Sequence, residues 1–375
     1  MSKNRNAGGL SNPAAGPAQQ TAGDPASKVT LRTVARHLGL SVTTVSRALK
    51  NGPEVQLATR EKVASAAEAL GYRPHLAGIN LRTGRTHAVG VFLPLERSGE
   101  INNLGGALIE GVSAYLTGVS YRTTVVPVLE KTSALRAVQD IVREKSVDGI
   151  IIKNTLPQDE RVRYLLEVGF PFVTFGRTEL FTPHPFFDID HESIGYRAAK
   201  LLFDAGHRQP ILVAPPRQQT YSQQFLRGWR AAHFDANRDY SESHVFFSAV
   251  TPNSGRDVAG LLLRPELAAT GAFIAGEESA MGVVAGLYAA GCVVGRDFGI
   301  VTYGGTQLHG FVTPPLSAFI HSNFETGERL AALLMRSIQG ESAVGLGEVA
   351  EAVFVDHQSH LAPGVLPDRR PGKVA

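Results

Sequence analysis

Three short segments near the start of the chain repeat apolar residues at helical spacing. In "TLRTVARHLGL", Leu31, Val34, Ala35 and Leu38 follow i, i+3, i+4, i+7 behind Thr30, a good N-cap. In "LGLSVTTVSRALKNG", Ser41 is the cap candidate, Val42, Val45 and Leu49 form the apolar stripe, and Thr43, Thr44, Ser46 and Arg47 fall on the opposite side. In "ATREKVASAAEALGY", Thr59 is the cap candidate ahead of Val63, Ala66, Ala67 and Leu70. The spacing predicts three helices around a small core. The first two, joined through Gly39, have helix-turn-helix spacing, which suits a second helix to a major groove. After Thr86 the pattern changes. Short apolar runs ("AVGVFLPL", "RTTVVPV", "VDGIIIKN", "PFVTFGR") alternate with amphipathic helical stretches, and the alternation resumes with "PILVAPP", "HVFFSAV", "GAFIAG" and "GIVTYGG". Such βαβ order predicts parallel sheets covered by helices. Over more than 260 residues it predicts two lobes rather than one core.

Charge sharpens the division. Twelve Lys and Arg against four Asp and Glu give the first 85 residues a net +8, which leaves −5 for the remainder of a chain whose total is +3. A basic end on an acidic body points to a polyanionic partner for that end alone. The composition, 43% hydrophobic and 19% charged, is that of ordinary globular domains. Cys292 is the single cysteine, so no intrachain disulfide forms, which fits a reducing cytoplasm. Residues 1–28, rich in Gly, Ala, Pro, Gln and Ser, read as a disordered arm without the apolar core of an export signal. No stretch reaches the ~20 apolar residues of a membrane span.

The run "TVSRAL", followed by "TREKV" and "LGYRP", resembles the DNA-binding head of the lactose-repressor/galactose-repressor (LacI/GalR) family of bacterial transcription regulators. A weaker similarity continues to about His357. The resemblance implies a helix-turn-helix domain over 29–74, a hinge over 75–87 and an α/β effector-binding and dimerisation body over 88–357, followed by a tail over 358–375. The body is then a two-lobed fold like that of periplasmic sugar receptors. Its first lobe covers about 88–190 and 320–342, its second about 191–319 and 343–357, with crossings near Asp190 and Phe319. In the head, the resemblance assigns base reading to Val42, Thr43 and Arg47, where methyl groups suit thymine and a guanidinium suits guanine. Thr30, Ser41, Thr44, Ser46 and Thr59 are expected on phosphates. In the hinge it assigns DNA contact to Ala77 and Leu81, the leucine as a minor-groove wedge. A homodimer on a near-palindromic operator follows, with half-sites about one helical turn (roughly 34 Å) apart. The tail lacks heptad leucines, so nothing larger than a dimer is expected.

Carboxyl ends of parallel strands host ligands, and here they carry Lys153, Arg177, Asp190, Tyr221, Glu277, Tyr303 and His321. Arg177 and Asp190 lead as charged groups for paired hydroxyls or a carboxylate. Three positions depart from the family's usual pocket: Phe225 for arginine, Gly276 for asparagine and Gly304 for aspartate. The resemblance implies repression of a carbohydrate operon relieved by a sugar, with a purine-type corepressor response as the alternative. A transport receptor would share the body but not the basic head. No nucleotide loop, Gly-x-Ser-x-Gly elbow or His-Glu-x-x-His motif is present, so no enzyme, metal or cofactor is expected.

Overall fold

The computed structural model describes residues 29–72, 84–95, 104–129 and 133–363. The chain divides into two compact units, with the boundary in sequence between Gly84 and Arg85. In the first unit, α1 (Leu31–Leu38), α2 (Val42–Ala48) and α3 (Leu57–Ala69) enclose Val34, Ala35, Val45, Ala48, Val55, Val63 and Ala67. Thr30 caps α1 reciprocally with Thr33, through bonds of 3.3 and 3.2 Å, and Gly39 ends the helix at φ +67°. Only glycine takes that left-handed turn at no steric cost. Ser41 Oγ accepts from Thr44 N–H at 3.0 Å and starts α2.

Two head expectations are corrected. Val42 is 42% exposed, and Ala48 takes its place on the buried stripe with Val45. The first residue of a helix projects beyond the turn that its neighbours pack against, so periodicity alone does not bury it. Helix α3 begins at Leu57 after Gln56, without a side-chain cap, so Thr59 lies inside the helix and caps nothing.

Among the described residues, the second unit holds two six-stranded sheets. The first-lobe sheet is built from β1 (Ala88–Leu95), β2 (Arg122–Leu129), β3 (Gly149–Ile152), β4 (Phe172–Phe175), β5 (Phe186–Ile189) and β11 (Gly347–Ala350). Its order is β11-β5-β4-β3-β1-β2, all parallel. Helices α4 (Leu104–Gly118), α5 (Ala134–Glu144) and α6 (Glu160–Val168) belong to this lobe. The second-lobe sheet comprises β6 (Ile211–Ala214), β7 (Val245–Phe247), β8 (Gly271–Ile274), β9 (Gly299–Gly304), β10 (Ser317–Ile320) and β12 (Val353–Val355). Its order is β12-β10-β9-β8-β6-β7, with β12 alone antiparallel. Helices α7 (His191–Asp204), α8 (Thr220–Asp235), α9 (Pro252–Leu262) and α10 (Glu277–Ala289) serve it, while α11 (Asn323–Ile338) returns to pack on α4. Central strands such as β3, β6 and β8 are buried along their whole length, because helices cover both faces.

The chain passes between lobes at Asp190, at His321–Ser322 and again at Glu351–Ala352. The expected assignment of 343–357 to the second lobe is therefore corrected. Gly347–Ala350 pairs in parallel with Phe186–Ile189 of the first lobe, and only β12 rejoins the second. Two short edge strands separated by two residues supply one pairing to each sheet.

Candidate functional site

The head offers an exposed polar face with an apolar tip. Thr30, Ser41, Val42, Thr43 and Arg47 are exposed, while Thr44, Ser46 and Thr59 are half-buried. Ser41 Oγ also lies 2.8 Å from Thr44 Oγ1, so these hydroxyls are held in place by α2 itself. Arg47 pairs with Glu54 at 3.4 Å. Both groups are solvent-exposed, so the pair contributes little and yields readily to a stronger anion. Ala77 and Leu81 lie outside the described residues.

The second site is a cavity of about 190 Å³ at the lobe junction. Five of the expected residues meet on its wall: Lys153 at the end of β3, Tyr221 and Glu277 at the starts of α8 and α10, Tyr303 on β9, and His321 at the second crossing. Three others do not. Phe225 is fully buried and packs its ring edge-to-face against His191 and Tyr303, beneath the wall. Asp190 caps α7, accepting from Ser193 N–H at 3.0 Å, and its carboxylate is committed there. Arg177 donates through Nε to Asp188 at 2.7 Å and acts behind that residue.

Asp188 stands among the residues around the cavity, and sequence reasoning missed it. It is fully buried. Oδ2 accepts from Arg177 and from Gln224 Nε2 (3.3 Å), and Oδ1 accepts from Ile189 N–H (2.9 Å). Burial alone would raise its pKa, but hydrogen bonds and charge from His191 and Arg177 outweigh that and hold it below the usual carboxylate range. His191, also missed, stands with Nδ1 3.1 Å from Gln224 Oε1 and 3.4 Å from Asp188 Oδ1, and with Nε2 3.0 Å from the Tyr303 hydroxyl. Desolvation, with Asp188, Tyr221 and Glu277 nearby, raises the Tyr303 pKa well above its ordinary value.

His321 stacks on Tyr303 with centroids 5.4 Å apart, and its Nε2 lies 3.1 Å from Asn323 Oδ1. Burial chiefly, with charge from His191 and Lys153, lowers its pKa to about 4. Burial also lowers the pKa of Lys153, against the pull of Glu278 across the cavity. Gln219, His321 and Asn323 line the cavity, and Gln219 Oε1, His321 Nδ1 and Asn323 Nδ2 are buried with no hydrogen-bond partner among the described residues. A cluster of unsatisfied polar atoms in one wall is costly unless something polar fills the space.

Glu277 does less for a ligand than expected. One carboxylate oxygen accepts from Thr306 N–H (2.9 Å) and Oγ1 (2.7 Å), and the other accepts from His309 Nδ1 (2.9 Å). A Cβ on Gly304 would overlap this carboxylate, one on Gly276 would overlap Val250, and one on Gly305 would overlap Asn323. The missing side chains at 304 and 276 therefore leave no empty space, because neighbours have moved into it.

Comparison with known proteins agrees with both halves. Residues 30–75 match the family model described as "Bacterial regulatory proteins, lacI family", and residues 199–359 match a "Periplasmic binding protein-like domain". The chain is similar to the HTH-type transcriptional regulator AglR of Rhizobium meliloti (strain 1021), 28% identical over 92% of this chain and 96% of that protein. It is also similar to RafR of Escherichia coli, 26% identical over 85% and 94%. Among solved structures it resembles a transcriptional regulator CelR–cellobiose complex (25% identity, TM-score 0.67, 88% of this chain and 99% of that one). The lac repressor dimer bound to operator and the anti-inducer ONPF shares the fold at 22% identity, with a TM-score of 0.76 and coverage of 90% and 100%. The chain thus carries a lacI-family DNA-binding domain followed by a periplasmic-binding-protein-like domain, and is similar over most of its length to proteins named as transcriptional regulators.

Proposed function

We propose that this protein represses a carbohydrate uptake or catabolism operon as a homodimer on a near-palindromic operator, and that a sugar in the lobe junction releases it. Three residues that line the cavity, Gln219, His321 and Asn323, each hold a buried polar atom without a partner among the described residues, and they carry the sugar reading, since hydroxyl groups satisfy a donor and acceptors together. The cellobiose in the CelR complex supports the same class of ligand. In the head, Val42, Thr43 and Arg47 read base edges, while Thr30, Ser41, Thr44, Ser46 and Thr59 hold phosphates. Ala77 and Leu81 complete the contact in the minor groove. The reading takes domain limits of 29–74, 75–87 and 88–357, with 347–350 counted in the first lobe. The working compartment is the bacterial cytoplasm, on nucleoid DNA.

Mechanistically, a ligand that binds one arrangement of the lobes more tightly than the other shifts operator affinity by that difference, and operator DNA weakens ligand binding by the same factor. Selection of preferred sites from random duplex, repeated with cellobiose and raffinose, tests this directly. A symmetric consensus that is enriched without sugar and lost with one is the expected result. Recovery of no consensus sinks the operator reading, and a consensus enriched only with an added purine replaces the sugar by a corepressor.

A further inference from the structure

The chain passes once from the first unit to the second, at Gly84–Arg85, and the residues that follow are tied down at once. Asp148 Oδ1 accepts from Thr86 N–H (2.6 Å) and Thr86 Oγ1 (2.9 Å), and Oδ2 accepts from His87 N–H (2.9 Å). The Asp148 N–H donates in turn to the Ala88 carbonyl at 2.8 Å. Hydrogen bonds to an ionised carboxylate are among the strong ones, and here one half-buried carboxylate fixes two successive residues. His87 is held at φ +50°, a left-handed conformation that a residue with a side chain keeps only where its surroundings demand it. Its ring packs against Tyr121, with centroids 5.1 Å apart.

Three elements lead from this point to the lobe-junction cavity. Strand β1 begins two residues after Thr86 and carries Leu93 on the cavity wall. Strand β3 begins directly after Asp148, is buried throughout, and is followed by Lys153 and Asn154, which also line the cavity. The two strands pair in parallel, Val89 with Gly149 and Val91 with Ile151, so both run from the clamp to the cavity, a distance of roughly 17 Å along β3. Helix α11 starts at Asn323 beside the cavity. Its Leu334 and Ile338 press on Gly149 so closely that a Cβ there would lie 2.9 and 3.0 Å from them. A strand packed this tightly transmits a displacement rather than absorbing it.

We propose that Asp148 couples the cavity to the DNA-binding end: a shift of β3 at Lys153 moves the Asp148 carboxylate, and with it the two residues on which the linker from the head ends. Asp148 is a positioning residue and does not touch the ligand. This rests on the ligand-released operator binding proposed above, and names the residue that joins its two halves.

The test is the coupling factor, the ratio of operator affinities without and with sugar, for full-length protein on a symmetric duplex obtained by selection, with cellobiose and raffinose as probes. The wild type is expected to give a factor of about 5 to 150, the usual range of such couplings. Asp148→Asn keeps the side-chain size and removes the charge; it should reduce the factor by about threefold or more. Sugar affinity by calorimetry should change by no more than about twofold, as for sites well apart. Thr86→Val removes only the hydroxyl bond and should fall between. A lower melting temperature for Asp148→Asn with the wild-type factor would make the carboxylate a fold-stabilising group alone and overturn the proposal, as would loss of sugar binding itself. Hydrogen exchange supplies a readout that needs no sugar. Operator duplex, compared with scrambled duplex, should alter exchange in peptides covering 86–95 and 148–154 of the wild type, and leave 148–154 unmoved in Asp148→Asn. If neither sugar shifts operator affinity, the sugar reading fails while this exchange pattern still supports the coupling. An unresponsive 148–154 peptide in the wild type contradicts it, and a chain that selects no duplex fails on both readings.

Discussion

In the head, the groups proposed to contact DNA are those the core leaves outside: Val42 projects from the start of α2, and Thr43 and Arg47 stand on its open face. In the cleft, the polar residues around the cavity are ones the fold has buried, with Asp188 at 0% and Asn323 at 3% exposure. Head contacts are local, as in the Thr30–Thr33 and Ser41–Thr44 caps, whereas the cleft joins residues 33, 36 and 112 positions apart. The difference teaches where each function is vulnerable. A surface reader loses its partner and keeps its fold, while a buried receptor loses both when one polar group is removed.

The largest effect expected from that contrast is at Glu277. Glu277→Ala strands the donors of Thr306 and His309, and should cost about 3–5 kcal/mol of stability, read as a lower urea midpoint. A loss under 1 kcal/mol would mean that the turn does not depend on the carboxylate. Next is pH. His321 titrates near 4 when folded against an ordinary 6.5, so the unfolded chain binds the extra proton between those values. Stability from this residue is complete above about pH 6.5 and falls as pH drops toward 4, by roughly 3 kcal/mol at most. Burial also lowers the pKa of His207, His184 and His360, which steepens the same acid limb. His321→Asn should flatten the slope of denaturation free energy against pH in that window; an unaltered slope would move the effect to other histidines.

Arg47→Ala comes third. It should weaken specific operator binding by about 1–3 kcal/mol, with ligand binding unchanged. An equal loss on random duplex would make Arg47 a phosphate anchor only. Smallest is Ser41→Ala, at about 1 kcal/mol of head stability by thermal denaturation, with the melting of the second unit unmoved.

The sequence made the head legible because its information is local: caps, a glycine turn and a 3.6-residue period. It misled at two helix ends, where Val42 precedes the packed turn and Gln56 starts α3 without a side-chain signal. In the body, the strand-end rule named Lys153, Tyr221, Glu277, Tyr303 and His321, which line the cavity, and Asp190, which caps a helix while Asp188 stands beside the cavity. A local signal did exist: Asp190 precedes Ser193 by three residues, a capping spacing, which leaves Asp188 as the carboxylate still on the strand. Nothing local announces His191, Asn323 or the return of 347–350 to the first sheet, since each depends on partners far away in the chain.

The most direct test of the whole account is fluorescence anisotropy of a labelled symmetric operator, chosen by selection, with full-length protein at about 0.15 M salt. The account predicts roughly a thousandfold preference over a scrambled duplex, with affinity falling as a neutral sugar is added. Equal affinity for the two duplexes, unmoved by any ligand, would contradict it.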